Sequence, residues 1–158
     1  MQNILKSSYF ESTWKSPNIK KEMPVVVMPI DILWPNVQSI EHLYNRPFKK
    51  NLRNDIEKNG LKNPLICVKL SKKELIQLKK KYGTKLNELP FDENTANDEE
   101  YINSIWGGSQ RLVLALEMGY THIDCVICET IANAHIIQKE MRKNYKRLLY
   151  SRAPSDKS

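Results

Sequence analysis

The chain is poor in the residues that mark several protein classes. Its 158 residues include only 5 glycines and 3 cysteines. So little glycine excludes a collagen-like chain, and three thiols, an odd number, make no disulfide framework, which points to a reducing compartment. No apolar run approaches the roughly 20 residues that a membrane helix needs. The opening residues, Met1 to Ser8, hold no apolar stretch of signal-peptide length. A cytoplasmic protein without membrane contact is therefore expected. What remains is 41% hydrophobic and 27% charged, a balance that suits one globular domain around one core.

Metal ligands are sparse as well. Cys125-Val126-Ile127-Cys128 has the spacing of a metal or redox pair but lies in a β-like run from His122 to Cys128. Residues three apart in a strand face opposite sides, and no second cysteine pair completes four ligands. No metal site built from these side chains is expected. His42, His122 and His135 are scattered and read as solvated or structural.

Charge is arranged in blocks, which say more than the net value of +7. From Arg46 to Lys81 there are 12 basic and 3 acidic residues; from Glu88 to Tyr101, 6 acidic and none basic; from Lys139 to Arg152, 6 basic against Glu140. Two readings stand side by side. The basic blocks flank an anionic partner, a nucleotide or a nucleic acid, or Lys72, Lys73, Lys79, Lys80 and Lys81 form one solvated helix face.

Residues 1–23 show no sustained period and read as an N-terminal arm that packs through Tyr9, Phe10 and Trp14. Residues 24–130 carry the main framework. Val25 to Leu33 predicts a strand kinked at Pro29. Asn51 to Asn59 predicts a helix stopped at Gly60, followed by a strand over Pro64 to Leu70. Ser71-Lys72-Lys73-Glu74 is a capping box that opens a helix through Leu75, Leu78 and Tyr82, closed by Gly83. Residues 84–100 are polar, acidic and aperiodic, and read as a mobile insertion. A strand from Glu100 to Trp106 leads into a buried helix from Ser109 to Met118 that stops at Gly119, and Ile123 to Cys128 is a further strand. Residues 131–158 form a C-terminal amphipathic helix, with Ile137, Met141, Tyr145 and Leu148 on one face, and a tail. The class is α/β (α+β), a small mixed β-sheet with flanking helices.

The most informative segment is Gly107-Gly108-Ser109-Gln110-Arg111. A strand turning through glycines into a helix leaves several backbone N–H groups unpaired at one spot, where the helix dipole favours an anion. Glycine lets a phosphate approach closely, Ser109 can cap the helix or donate its hydroxyl, and Arg111 offers a two-pronged guanidinium. The plainer alternative is an ordinary turn in which Ser109 is an N-cap and Arg111 a surface ion-pair partner. Neither a Walker loop nor a Gly-x-Gly-x-x-Gly fingerprint is present, and Ser109 lacks the Gly-x-Ser-x-Gly elbow of hydrolases. A second cluster, Asn45-Arg46-Pro47-Phe48-Lys49-Lys50 with Arg53, either grips phosphates or is a solvated run before a helix. No catalytic carboxylate stands out; Asp31 and Glu41 are the nearest by chain order.

Three segments in order, Met28 to Asn36, Asp55 to Val68 with its Gly60 and Pro64, and Gly108-Ser109-Gln110-Arg111 with Gly119 closing the helix, resemble the ParB N-terminal/sulfiredoxin-like superfamily. The resemblance covers roughly residues 24–129 and makes 84–100 an insertion. It implies that the Gly-x-x-Arg turn holds nucleotide phosphates, those of CTP in ParB proteins and of ATP in sulfiredoxins. The sulfiredoxin cysteine position is here Ser109 and its histidine position Gln110, so thiol-dependent reduction of a sulfinic acid is not expected. About 30 residues follow the last strand, too few for the DNA-binding and dimerisation domains of a chromosome-segregation ParB. The resulting expectation is a nucleoside triphosphate, ATP or CTP, at Gly107, Gly108, Ser109, Gln110 and Arg111. Arg46 and Lys49 would close from the other side and Mg²⁺ would accompany the ligand, with hydrolysis or phosphate transfer left open. The alternative is a DNA-binding or nuclease module acting through the basic blocks. The acidic stretch is expected beside the site, either swinging away or recruiting Mg²⁺, unless it is a remote solvated loop.

Overall fold

The computed structural model describes residues 1–36, 47–95 and 99–156. Seven strands form one mixed sheet: β1 (Ile4–Leu5), β2 (Thr13–Trp14), β3 (Met23–Pro29), β4 (Leu33–Pro35), β5 (Leu65–Ser71), β6 (Tyr101–Gly107) and β7 (His122–Cys128). Their order is β2-β3-β7-β5-β6-β4, with β1 beside β7. The β5/β7 and β4/β6 pairs are parallel, and β3/β7 and β5/β6 antiparallel. The helices are α1 (Pro47–Asn59), α2 (Lys72–Tyr82), α3 (Ser109–Glu117) and α4 (Ile131–Asp156).

Strands in the middle of a covered sheet must be apolar on both faces, and β5 and β7 are. Leu65 and Cys67 of β5, with Ile123 and Cys125 of β7, face Leu52 and Ile56 of α1 and Leu112 and Ala115 of α3. Ile66, Val68 and Leu70, with Val126 and Cys128, face Leu75 of α2 and Ala134, Ile137 and Met141 of α4. The sheet is therefore sandwiched between two helix layers with a separate apolar core on each side. Cys125 and Cys128 belong to different cores, as their spacing in a strand requires.

The structure departs from the sequence reading at several boundaries. The expected kinked strand is two strands: Pro29, which has no N–H for the ladder, ends β3, and a 3-10 turn at Ile30–Ile32 precedes β4. Helix α1 begins at Pro47 rather than Asn51, a position where proline's missing donor costs nothing.

Residues 1–23 are woven into the fold. β1 and β2 join the sheet, and the Ser7 N–H and hydroxyl both donate to the buried Asp124 carboxylate at 2.7 and 2.9 Å. The Glu140 carboxylate on α4 accepts from Trp14 Nε1, Ser16 Oγ and Asn18 Nδ2. Trp14 is buried and Tyr9 stacks near it at 4.8 Å between ring centroids, whereas Phe10 is exposed. The described part of 84–100 is also tied down. Leu86 is buried, Leu89 and Phe91 pack on the α2/α4 core, and Trp34 Nε1 donates to the Glu88 carbonyl at 2.9 Å.

Candidate functional site

Strand β6 carries a bulge just before the glycines. Its register with β5 passes from Ile66↔Gly107 to Cys67↔Ile105, so Trp106 is the extra residue, and such an insertion bends a strand and re-aims its side chains. The chain then turns at Gly108, with φ 93°, into α3. A Cβ on Gly108 would lie 2.3 Å from Leu65 Cδ2, and one on Gly107 2.7 Å from Ile66 Cδ1. Packing against β5 thus dictates both glycines, a different reason from the close approach of a ligand.

Gly108 is the N-cap of α3, with no side-chain cap, and the first bond of the helix runs from Leu112 N–H to the Gly108 carbonyl at 2.9 Å. The amides of Ser109, Gln110 and Arg111 precede that bond, so the helix itself supplies them no acceptor. Ser109 does not cap the helix, whose N-cap is Gly108. It donates to Asn36 Oδ1 at 2.8 Å in a buried pair, and Asn36, just after β4, donates its own N–H to the Ile105 carbonyl at 3.2 Å. The hydroxyl therefore pins the turn to the end of the adjoining strand. This corrects the N-cap role that the sequence suggested for Ser109.

The turn borders a cavity of ≈ 450 Å³, outside the carboxyl ends of the parallel strands β4 and β6, where open α/β sheets bind ligands. Gly107, Gly108, Ser109, Gln110 and Arg111 all line it. The opposite wall is one face of α4: His135, Gln138, Met141 and Arg142, at helical spacing, with Trp106 between the walls. The rings of Trp106 and His135 meet edge-on, 6.2 Å between centroids. Asn63 and Pro64, leading into β5, complete the rim. Two arginines and a histidine thus line the cavity, and no carboxylate among the described residues does.

The sequence missed the α4 wall and Asn36. The basic block from Lys139 to Arg152 signalled Arg142, but which of its cations would face Arg111 depended on how α4 docks. Arg46, the other cation proposed to close the site, lies outside the described residues, as do Glu41 and His42. Lys49 falls in the first turn of α1, and its side chain lies outside the described part. Asp31 is exposed in the 3-10 turn and does not line the cavity, nor do the described residues of 84–100. All three thiols are buried. Burial pushes Cys67 up to about 12, with further repulsion from Cys128; burial alone pushes Cys128 up to about 12, and Cys125 also lies well above the ordinary thiol value. They therefore carry no thiolate with which to react.

No family model matches the chain, and no curated protein matches it. Among solved structures it is similar to a sulfiredoxin from Arabidopsis thaliana, at 14% identity and a TM-score of 0.38, over 72% of this chain and 96% of that chain. At that level the likeness carries no functional argument, which rests on the cavity's own residues. No helix among the described residues is long and apolar enough to cross a membrane.

The resemblance in the sequence implies Mg²⁺ with the nucleotide. Mg²⁺ is ordinarily held by one or two carboxylates together with phosphate oxygens. The lining offers none among the described residues, and nowhere among them do three His, Cys, Asp or Glu side chains gather to hold a metal ion. The described residues do not fit a protein-held Mg²⁺.

Proposed function

We propose that the chain binds a nucleoside triphosphate, ATP or CTP, with its phosphates at the N-terminus of α3 and against Arg111 and Arg142. One observation carries this reading: a cavity of small-molecule size lined by two arginines, a histidine and an uncapped helix start, with no carboxylate among the described residues. The backbone amides of Ser109, Gln110 and Arg111 suit phosphate oxygens, and guanidinium forks from two helices suit a chain of phosphates. Trp106 and Met141 supply an apolar side on which the rest of the ligand can lie. The reading stops at binding and assigns no catalytic residue and no phosphate acceptor.

Its test is calorimetric titration of ATP, CTP, GTP and UTP into the wild type and Arg111→Ala. A charge-assisted hydrogen bond contributes about 1.5–3 kcal/mol, so the variant should bind more than tenfold more weakly while its unfolding transition stays cooperative. Unchanged binding would move the site elsewhere. A second reading, DNA binding through the basic blocks, is favoured by Lys139, Arg142 and Lys143, all exposed on α4. DNA affinity that falls steeply with salt and ignores nucleotide would favour it.

A further inference from the structure

Helix α4 is held on one flank and borders the cavity on the other. Ala134, Ile137 and Met141 seat it in the apolar core over the sheet, where it touches β5, β6 and β7. A helix turns about 100° per residue, which puts Gln138 and Arg142 on the flank that lines the cavity and Glu140 on the opposite one. There the N-terminal arm grips it. The Glu140 carboxylate accepts from Trp14 Nε1 at 3.0 Å, Ser16 Oγ at 2.5 Å and Asn18 Nδ2 at 2.9 Å, and an ionised acceptor strengthens each bond. Ser16 Oγ in turn accepts from the Asn18 and Ile19 N–H groups, both at 3.1 Å. The arm is itself anchored: Trp14 on the edge strand β2 pairs with Met23 of β3, and both are buried in the core that seats α4. Strand order places β3, β7 and β5 between this edge and β6, beyond which the cavity opens. Apolar burial is non-directional, so a narrow stripe sets how closely a helix approaches the sheet better than its rotation about its own axis. Directional hydrogen bonds fix the rotation.

We propose that Glu140 is a positioning residue for the cavity: through its grip on the arm it sets the rotation of α4, and with it the reach of Gln138 and Arg142 towards the ligand. The proposal rests on the nucleotide-binding reading above. Coupling between two sites is reciprocal, so a nucleotide held at Arg142 also steadies the arm.

The experiment titrates ATP and CTP by calorimetry into the full chain as wild type, Glu140→Ala, Glu140→Gln and the arm variant Ser16→Ala with Asn18→Ala. Ser71→Ala, which loses a helix cap and lines no part of the cavity, is the control for lost stability. Glu140→Ala and the arm variant are each expected to bind about threefold to tenfold more weakly. Glu140→Gln, which keeps an acceptor oxygen, should lose less, and Ser71→Ala nothing. Hydrogen exchange gives the reciprocal readout: saturating nucleotide slows the Asn18 and Ile19 amides in the wild type and not in Glu140→Ala. Circular dichroism with thermal melting checks folding, and the arm variant carries the test if Glu140→Ala does not fold. Unchanged affinity in Glu140→Ala and the arm variant overturns the proposal and leaves nucleotide binding standing, and so does an equal loss in Ser71→Ala. If the wild type binds neither nucleotide, the nucleotide reading fails. Exchange of the α4 amides from His135 to Arg142 in the free protein then judges the grip: faster exchange in Glu140→Ala supports it, and equal rates overturn it.

Discussion

Helices α2 and α3 each start where a strand of the same antiparallel pair ends, β5 running into Ser71 and β6 into Gly107 and Gly108, yet their first turns are finished in opposite ways. At α2 the Ser71 hydroxyl accepts from the Glu74 N–H at 3.1 Å, the Glu74 carboxylate accepts from the Ser71 N–H at 3.4 Å, and the Lys72 N–H reaches the Glu100 carbonyl at 3.0 Å. The orphan amides of that helix are largely satisfied from within. At α3 a glycine holds the cap position, and the serine that follows spends its hydroxyl on Asn36. On the proposed reading, the acceptors for the first amides of α3 are the oxygens of the ligand's phosphates. The antiparallel pairing places the two starts at opposite ends of the sheet, so the closed one braces the framework and the open one borders the cavity.

Substitutions at matched positions break or sharpen this contrast. The largest effect is expected at Gly108. Alanine there meets an unfavourable φ of 93° and a Cβ 2.3 Å from a fully buried leucine. Backbone strain of about 1–3 kcal/mol adds to overpacking of similar size, about 2–6 kcal/mol in all. Gly83 closes α2 with φ 57° and nothing within 4 Å of its would-be Cβ, so alanine there costs only the backbone part, about 1–3 kcal/mol. Urea unfolding of the two variants ranks them, and equal losses would remove the packing argument for the α3 turn.

Ser109→Ala comes next. It leaves the buried Asn36 amide oxygen without that donor, at about 1–3 kcal/mol, and it should change nucleotide affinity less than threefold, because the hydroxyl serves the framework. Ser71→Ala removes an ordinary N-cap, at about 1 kcal/mol, with no effect on binding. A tenfold affinity loss in Ser109→Ala would return the hydroxyl to the ligand.

The smallest effect is set by acid and touches neither turn. Burial pushes the Glu140 carboxyl up, but hydrogen bonds from Ser16, Trp14 and Asn18 outweigh it and hold the group below the ordinary glutamate value. A depressed folded value means the stabilisation is fully present above the unfolded glutamate pKa of about 4.3 and is lost as pH falls through the folded one. Between pH 5 and 3 the wild type should therefore lose more stability than Glu140→Gln, whose side chain does not titrate. Parallel acid slopes in the two proteins would show that the strap over α4 owes nothing to the charge.

Much of the framework was legible locally. The Ser71–Glu74 capping box, the stop at Gly83 and the opposite-facing Cys125 and Cys128 follow from spacing alone, because each is decided within four residues. The strand–glycine–helix turn was legible for the same reason. The N-terminal arm was not, since its strands are two residues long and are held by Asp124 and Glu140, more than a hundred residues away. The role of Ser109 was misread because a serine at a helix start usually caps it, and only its buried neighbour Asn36 reverses that preference.

What the sequence by itself determined is the set of elements and the place where the chain opens into α3. Helix caps, glycine turns and hydrophobic periods are short-range consequences of backbone sterics and side-chain reach. What only the tertiary structure decided is the cavity. Arg111 and Arg142 stand on helices from opposite layers, α3 and α4 packing on the two faces of one sheet, and both line the cavity beyond the end of β6. That convergence depends on strand order and on the bulge at Trp106, long-range features that no local pattern of residues encodes.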